Sequence, residues 1–482
     1  MTKKQWIDAL VTILCFGALM TSKFLLPEPE GISRSILLLM IATASAILMW
    51  MVIGVGWTSM YVICSLMLIP ELGAGWVAQN SLGNSVVYYF MTCFILASCL
   101  ISTGVAKRIA VLLMVNRFSR KSPWLNVLMI FLGCFILAQG MSTPSVLLIF
   151  FPILYEIFDM CGYKKGDAAP MLLLIGCGTI AQACMTMTPI AHAVAATGIS
   201  TYLAYSGYEI SVFEFSVLGI PCGIVMCVLF FLGCRFLWKP DLSRLADVDH
   251  DAIAASIGPM SRKEKIALYG YLVILLFWIL PGLGKFVGFL APLTRLNTTV
   301  VSLLGLTALC VIHVDGEPVL DYARALKTDV PWSILMFISA IQVLGAAMSN
   351  KDIGFAPWAG SILEPIFSNV SPLVFLLILY AFCVISTNFL SNGVTLALAL
   401  AVGLPLSDTL YAGQFSQIAM VILCAAAANA AFATPPASHG PAMVVATGYV
   451  DTKTLLKWGG MGSIATVLSY WLVGIPLSNL LF

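Results

Sequence analysis

Four short runs hold most of the chemistry that this chain offers inside its apolar stretches. Gly140-Met141-Ser142-Thr143-Pro144-Ser145 and Ser386-Thr387-Asn388-Phe389-Leu390-Ser391-Asn392-Gly393 carry hydroxyls and amides. Thr186-Met187-Thr188-Pro189-Ile190-Ala191-His192 and Ala433-Thr434-Pro435-Pro436-Ala437-Ser438-His439-Gly440 join a Thr-Pro break to a histidine. None of the four contains a carboxylate, lysine or arginine. Such groups suit the holding of ions. N–H groups at the start of an interrupted helix carry partial positive charge and suit a carboxylate or sulfate. The hydroxyls of Ser142, Thr143 and Ser391 and the Asn392 amide can complete an oxygen shell around the anion. Carbonyls freed at the breaks can coordinate Na⁺, and a neutral site that holds cation and anion together lets each neutralise the other.

These residue types also have plainer uses. An isolated Ser, Thr or Gly in a membrane helix commonly serves close packing; four clusters at helix-breaking positions favour a site. His192 and His439 either titrate and bind the anion or hydrogen-bond loop backbone. Gln139 and Gln182 read as satisfying backbone. A histidine beside a nucleophile would be needed for an intramembrane enzyme, a weaker reading, as is a channel.

The elements that position these runs are membrane helices. Of 482 residues, 60% are apolar and 10% charged, with a mean hydropathy of +1.00; soluble domains have roughly 45–50% and 25%. The net charge of +2 gives no footprint for a nucleic acid. The 14 cysteines lie mostly in apolar runs without a CxxC pair and read as small buried hydrophobes. Lys3 and Lys4 precede an apolar run to Leu26 that reads as a first span rather than a cleaved leader. Ordinary spans are expected near 9–26, 35–54, 57–70, 85–105, 213–236, 265–282, 296–313, 330–348 and 459–480. With the N-terminus inside, only Lys23, Arg34, Lys285, Arg295 and Lys351 of the 24 basic residues fall outside, as the positive-inside rule requires.

Residues 122–155, 168–208, 365–407 and 409–450 contain no Asp, Glu, Lys or Arg. Each exceeds one span, and each has one of the four polar runs near its centre. Irregular backbone at membrane depth must face protein or a watery cavity. The first and third stretches therefore read as re-entrant hairpins, the second and fourth as broken spans. Ser142 and Ser391 lie 249 positions apart, Thr188 and Thr434 246. Thr188-Pro189 leads to Ala196-Thr197-Gly198, and Thr434-Pro435 to Ala446-Thr447-Gly448. A basic amphipathic segment (106–118) has a non-basic counterpart (353–366), as inversion requires.

The expected fold is an all-α polytopic membrane protein of two inverted repeats, each with a re-entrant hairpin and a broken transmembrane helix. Its expected parts are membrane helices 1–84, a first repeat 85–236 (hairpin 122–160, broken helix 168–205), a cytoplasmic loop 237–264, linking helices 265–329, and a second repeat 330–482 (hairpin 369–407, broken helix 411–450). Such architecture with breaks at the midplane marks secondary transporters.

The residues of the second tip, Thr387-Asn388-Phe389-Leu390-Ser391-Asn392-Gly393, with Ala433-Thr434-Pro435-Pro436 and Asp329-Val330-Pro331-Trp332, resemble the divalent anion/sodium symporter family. That family carries di- and tricarboxylates or sulfate on hairpins tipped Ser-Asn-Thr and broken helices with a Thr-Pro-Pro-Asn-like turn. The resemblance implies a homodimer with an elevator-like transport half. It implies a substrate site at Ser142, Thr143, Thr188, Pro189, His192, Ser391, Asn392, Gly393, Thr434, Pro435 and His439. It also implies a sodium site at Thr387, Asn392 and the Ala433 carbonyl, with Ser142 left for a first-repeat site. The departures are specific: Pro144 follows Ser142-Thr143 without an asparagine, Ala138 lacks a hydroxyl, Gly393 replaces a tip threonine, and histidines stand near the usual asparagines.

The expected function is secondary active transport of small organic dianions of the C4-dicarboxylate kind, sodium-coupled and without a cofactor, in the plasma membrane with the N-terminus cytoplasmic. The alternative is proton-coupled carriage or exchange of another anion, such as sulfate or a tricarboxylate.

Overall fold

The structure is a computed structural model that describes residues 2–25, 27–28, 31–54, 56–190, 192–283, 288–295, 297–348, 350–390, 392–435 and 437–482. Ala191, Lys285, Ser391 and Pro436 lie outside the described residues. Four helices lead the chain: α1 (Lys3–Phe24), α2 (Arg34–Val52), α3 (Trp57–Leu66) and α4 (Gly73–Asn80). Then come α5 (Ser85–Ser102), α6 (Val105–Met114), α7 (Pro123–Ala138), α8 (Thr143–Met160), α9 (Ala168–Cys184), α10 (Ala193–Ser206) and α11 (Val212–Gly233). A loop with the short α12 (His250–Ala255) precedes α13 (Arg262–Leu283), α14 (Thr298–Val311) and α15 (Tyr322–Thr328). The chain closes with α16 (Trp332–Met348), α17 (Phe355–Phe367), α18 (Pro372–Ser386), α19 (Asn392–Thr409), α20 (Gln417–Ala428), α21 (His439–Ala446), α22 (Thr452–Ser469) and α23 (Ile475–Leu481). A two-residue hairpin, His313–Val314 with Glu317–Pro318, is the one sheet among the described residues.

The order α5–α11 recurs as α16–α22, and local signals recur with it. Gly104 and Gly354, at φ of 87° and 71°, precede α6 and α17; this left-handed conformation is one that glycine adopts without a Cβ penalty. Ser122-Pro123 and Ser371-Pro372 open α7 and α18, the serine accepting the N–H of Leu125 or Val374. That pairing satisfies one orphan donor and spends the N–H-less proline where none is needed. Both α11 and α22 end in a π turn, Cys234–Trp238 and Tyr470–Gly474.

Among the described residues, six segments are long and apolar enough to cross a membrane: Lys3–Phe24, Gly73–Ser102, Thr143–Met160, Val212–Trp238, Arg262–Pro281 and Thr452–Leu481. The pair Tyr322–Thr328 and Trp332–Met348, bent by 75°, makes a seventh. The expected spans at 57–70 and 296–313 are shorter, as Trp57–Leu66 and Thr298–Val311. Turns over Met67–Leu72 stop α3 around Pro70. Thr143–Met160, expected as half of a hairpin, has full spanning length at about 1.5 Å per residue.

Lipid tails are as apolar as leucine, so close packing rather than water exclusion must join these helices. Gly176 of α9 receives the Phe131 ring of α7, where a Cβ would stand 1.9 Å from Cζ. Gly133 of α7 receives Phe150 of α8 at 2.8 Å. The first broken pair thus lies against its own hairpin through α9. Its other half, α10, packs on α16, α19 and α20, while α21 packs on α8 and α9. Each hairpin is therefore covered by half of the other repeat's broken helix. The N-terminal helices form a separate core with one face of α16.

One ion pair anchors the approach to the first hairpin. Arg108 of α6 holds Glu264 at the start of α13 with Nε–Oε1 at 2.9 Å and Nη2–Oε2 at 3.0 Å, and Ser261 N donates to the same carboxylate at 2.6 Å. The two side chains are 15% and 8% exposed. Arg108→Ala is expected to lower stability by about 2 kcal/mol, read as a fall in melting temperature that Arg108→Lys, which cannot form the fork, only partly repairs. An unchanged melting temperature for Arg108→Ala would reject this anchoring role.

Candidate functional site

The second hairpin tip lies in a network of neutral oxygens. The buried Thr387 hydroxyl is shared between Asn392 Oδ1, at 2.9 Å, and the Ala428 carbonyl at the end of α20. Asn392 Nδ2 donates to Asn429 Oδ1 at 3.1 Å. Asn388 Nδ2 reaches the carbonyls of Val384 (2.8 Å) and Ala430 (3.3 Å), and its Oδ1 accepts the Ala433 N–H at 2.9 Å. Thr434 donates to the Asn388 carbonyl. Ser463 of α22 adds a hydroxyl on the Ala430 carbonyl at 3.1 Å.

The first tip repeats part of this plan with different atoms. Thr188 donates to the Gln139 carbonyl at 2.8 Å, as Thr434 does to Asn388. Gln139 Nε2 meets the Met187 sulfur at 3.3 Å, where Asn388 instead holds the Ala433 N–H. Thr143, also buried, donates to the Met185 sulfur at 3.1 Å. Ser142 pairs with Ser145, Oγ to Oγ, at 2.9 Å. His192 is fully buried, with Nε2 3.0 Å from the Ala138 carbonyl. The tip backbone abuts α13: a Cβ on Gly140 would stand 2.1 Å from the Tyr271 hydroxyl.

The two tips are joined. From Thr143 the chain of contacts runs to Met185, whose carbonyl accepts from Asn429 Nδ2 at 3.3 Å, then to Asn392 and Thr387. Gln182 Nε2 donates to the Asn429 carbonyl at 3.3 Å, so both breaks share one amide. The N-terminus of α21 closes on the same place, since a Cβ on Gly440 would lie 3.1 Å from the Thr143 methyl.

Three helices that start here carry no side-chain cap. Ser142, His192 and Ser438 hold the cap positions of α8, α10 and α21, yet none accepts a first-turn N–H. Ser438 instead donates to the Ala431 carbonyl at 3.1 Å. Without a side-chain cap, the starts of these helices keep the partial positive charge of their first-turn N–H groups. No carboxylate, lysine or arginine falls within residues 168–208, 365–407 or 409–450, which supply most of these groups.

Of the residues singled out in the sequence, Thr143, Thr387, Asn392 and Thr434 belong to this linked network. Thr188 and His192 hold the first tip. Ala433 enters through its N–H, toward Asn388. Ser142 turns to Ser145. Gly393 faces α16, where a Cβ would stand 2.6 Å from Phe337, so packing accounts for the missing tip hydroxyl. Pro189 lines a cavity with Tyr89, Glu209, Ser211 and Thr298. His439 opens α21 with its side chain exposed, and Pro435 precedes it in the break. Ser391 lies outside the described residues.

Sequence reasoning missed Asn429 and Ala428. The signal was a lone amide inside the run Ala425–Ala431, where packing alone asks for none. It also missed two glycines. A Cβ on Gly219 of α11 would meet the carbonyl oxygens of Thr186 and Met187 at 2.7 Å; one on Gly459 of α22 would meet that of Phe432 at 2.2 Å. Each break is thus pressed against backbone that only a glycine admits.

A helical membrane protein with two broken helices and a charge-free polar centre is the architecture of a carrier. The model of the family described as sodium:sulfate symporter transmembrane region matches residues 3–482. The chain belongs to that family, and it is a multi-pass membrane transporter rather than an enzyme. It is 25% identical over 407 residues to the sodium-dependent dicarboxylate transporter SdcS of Staphylococcus saprophyticus, covering 80% of this chain and 76% of that one. It is 27% identical over 157 residues to the Na(+)/dicarboxylate cotransporter 3 of Rattus norvegicus, covering 32% and 24%. Among solved structures, the YdaH transporter of Alcanivorax borkumensis shares the fold, with a TM-score of 0.53, 14% identity, and coverage of 84% and 88%.

Proposed function

We propose that this protein carries small organic dianions of the C4-dicarboxylate kind, coupled to inward Na⁺. The observation that carries the reading is the neutral network joining Thr143 to Asn392 through Met185 and Asn429. Uncapped starts of α8, α10 and α21 beside it supply N–H donors for carboxylates. Relatives named as sodium-dependent dicarboxylate transporters support the substrate class. In this reading Ser142, Thr143, Ser391, Asn392 and Thr434 hold the anion, with Gly393, Thr188, Pro189, Pro435, His192 and His439 forming the walls. The repeats 85–236 and 330–482 lie inverted in a plasma membrane, N-terminus inside. Their hairpins and broken helices move as an elevator against the remaining helices, in a homodimer.

The cation belongs at the second tip, where Thr387, Asn392 and the Ala428 carbonyl offer hard oxygens. At the first tip, thioethers and an imidazole take the corresponding places, and thioethers suit soft metals rather than Na⁺. The Na⁺ dependence of uptake is therefore expected to have a Hill coefficient of about one. Thr387→Ala is expected to raise the half-saturating Na⁺ concentration at least about tenfold, removing one charge-assisted oxygen contact.

The test is uptake of radiolabelled succinate into proteoliposomes with and without an inward Na⁺ gradient. Uptake stimulated by Na⁺ supports the reading. Uptake indifferent to Na⁺ rejects the coupling and turns attention to His192 and His439. No uptake rejects the substrate class.

A further inference from the structure

Basic side chains around the loop-rich end of the molecule meet carboxylates or rings, and Arg244 meets both, with its Cζ 5.0 Å from the centre of the Tyr163 ring. Arg108, Arg120, Arg244 and Lys263 reach the carboxylates of Glu264, Asp251, Asp167 and Glu317. Arg117, Lys121, Arg235 and Lys457 are exposed and enter no ion pair among the described residues. They lie on aromatic rings instead. Arg117 Cζ and Lys121 Nζ both stand 5.1 Å from the centre of the Phe118 ring. Arg235 Cζ stands 6.0 Å from Trp124 and 5.7 Å from Phe236. Lys457 Nζ stands 4.6 Å from Trp458, whose ring stacks on Trp238 at 4.5 Å and 4°.

Contacts join these units into one band. Phe118 and Lys121 immediately precede α7, whose Trp124 packs edge-on against Phe231 of α11 at 5.7 Å. Helix α11 runs on into the turn that carries Arg235, Phe236 and Trp238, and Trp238 meets Trp458 near the start of α22. Phe236, Leu237 and Leu456 expose 58%, 73% and 55% of their surface within the band. Rings at headgroup depth beside exposed aliphatic side chains mark a membrane interface. Two cations brought onto one exposed ring repel each other unless an anion lies between them. The four cations of the band meet no carboxylate among the described residues, so an anionic headgroup is the complementary partner for them.

We propose that this band docks anionic phospholipids of the leaflet it faces, their phosphodiesters seated among Arg117, Lys121, Arg235 and Lys457. A zwitterionic headgroup brings its own ammonium and answers the cations less well. The site is separate from the hairpin network and stands whether or not the succinate reading holds.

The test uses the three tryptophans of the band. The full-length protein is reconstituted in phosphatidylcholine vesicles holding equal mole fractions of chain-brominated phosphatidylglycerol or chain-brominated phosphatidylcholine, and tryptophan quenching is titrated. Phosphatidylglycerol is expected to be preferred by about tenfold or more, the preference falling stepwise toward unity as the four cations are replaced by glutamine. Trp124→Phe/Trp238→Phe/Trp458→Phe should remove the preferential part of the quenching. Should the four-fold glutamine variant not fold, Arg117→Gln/Lys121→Gln alone must still reduce the preference. Equal quenching by both lipids in the wild type, or an undiminished preference in either glutamine variant, overturns the proposal. Loss of the preference on adding soluble glycerol 3-phosphate would assign the band to a free phosphoester and overturn it as well.

Discussion

Asn392→Ala is expected to reduce anion uptake by about a hundredfold or more while the protein still inserts and runs as a single species. Its amide is the one described side chain that meets both Thr387, within its own hairpin tip, and Asn429, at the end of α20. Removing it takes away the Oδ1 that accepts from Thr387 and the donor on Asn429 Oδ1. Thr387 keeps the Ala428 carbonyl, so the partner left short is Asn429 Oδ1, at about 1–3 kcal/mol, within the reach of a large helical membrane protein. Function suffers more, because cation and anion contacts are expected from the same side chain, and a misplacement of about 1 Å in a binding centre commonly changes rates a hundredfold. The measurement is initial uptake in proteoliposomes, normalised to reconstituted protein. Wild-type rates in this variant would remove the second tip from the site.

The second large effect is expected from Gly459→Ala. A methyl there would stand 2.2 Å from the Phe432 carbonyl oxygen and 2.9 Å from its carbon, both backbone atoms that cannot swing aside. The break would shift away from α22 and carry with it Ala433 and Thr434, whose bonds hold Asn388. Helix propensity alone predicts the opposite sign, since alanine stabilises a helix interior over glycine by about 1 kcal/mol. A lower melting temperature and at least about tenfold slower uptake are therefore diagnostic of the clash, which overpacking sets at about 1–3 kcal/mol. Gly460→Ala is the internal control, because its nearest neighbour would be the Ala433 Cβ at 4.0 Å. It should be neutral or stabilising. Equal behaviour of the two variants would show that the approach of α22 to the break does not matter.

Much of this architecture was readable from residue types. Ser122-Pro123 and Ser371-Pro372 announce the starts of two helices because a serine cap and an N1 proline solve the same local problem twice. Uncharged stretches longer than a span, each interrupted by Thr-Pro or by a hydroxyl cluster, announce helices that stop inside apolar surroundings. These are local statements about caps, breaks and solvation, and neighbouring residues suffice to make them. Family membership followed from the same tips and breaks.

What the tips do to one another was not readable. Asn429 joins Asn392 to Met185 only because α10 and α21 cross over to cover the opposite hairpins, bringing residues some 240 positions apart into contact. The first tip matches the second in sequence position, yet Met185, Met187 and His192 supply its partners, and the second is served by carbonyls and amides. Gly219 and Gly459 look like ordinary small residues of membrane helices until the breaks are seen pressed on them. Composition and periodicity by themselves determined that this chain lives in lipid, repeats its helix order and keeps charge away from its centre, because solvation acts on each segment separately. Only the tertiary structure decided which hydroxyl meets which carbonyl and which tip is rich in oxygen, because those pairings depend on how distant helices cross.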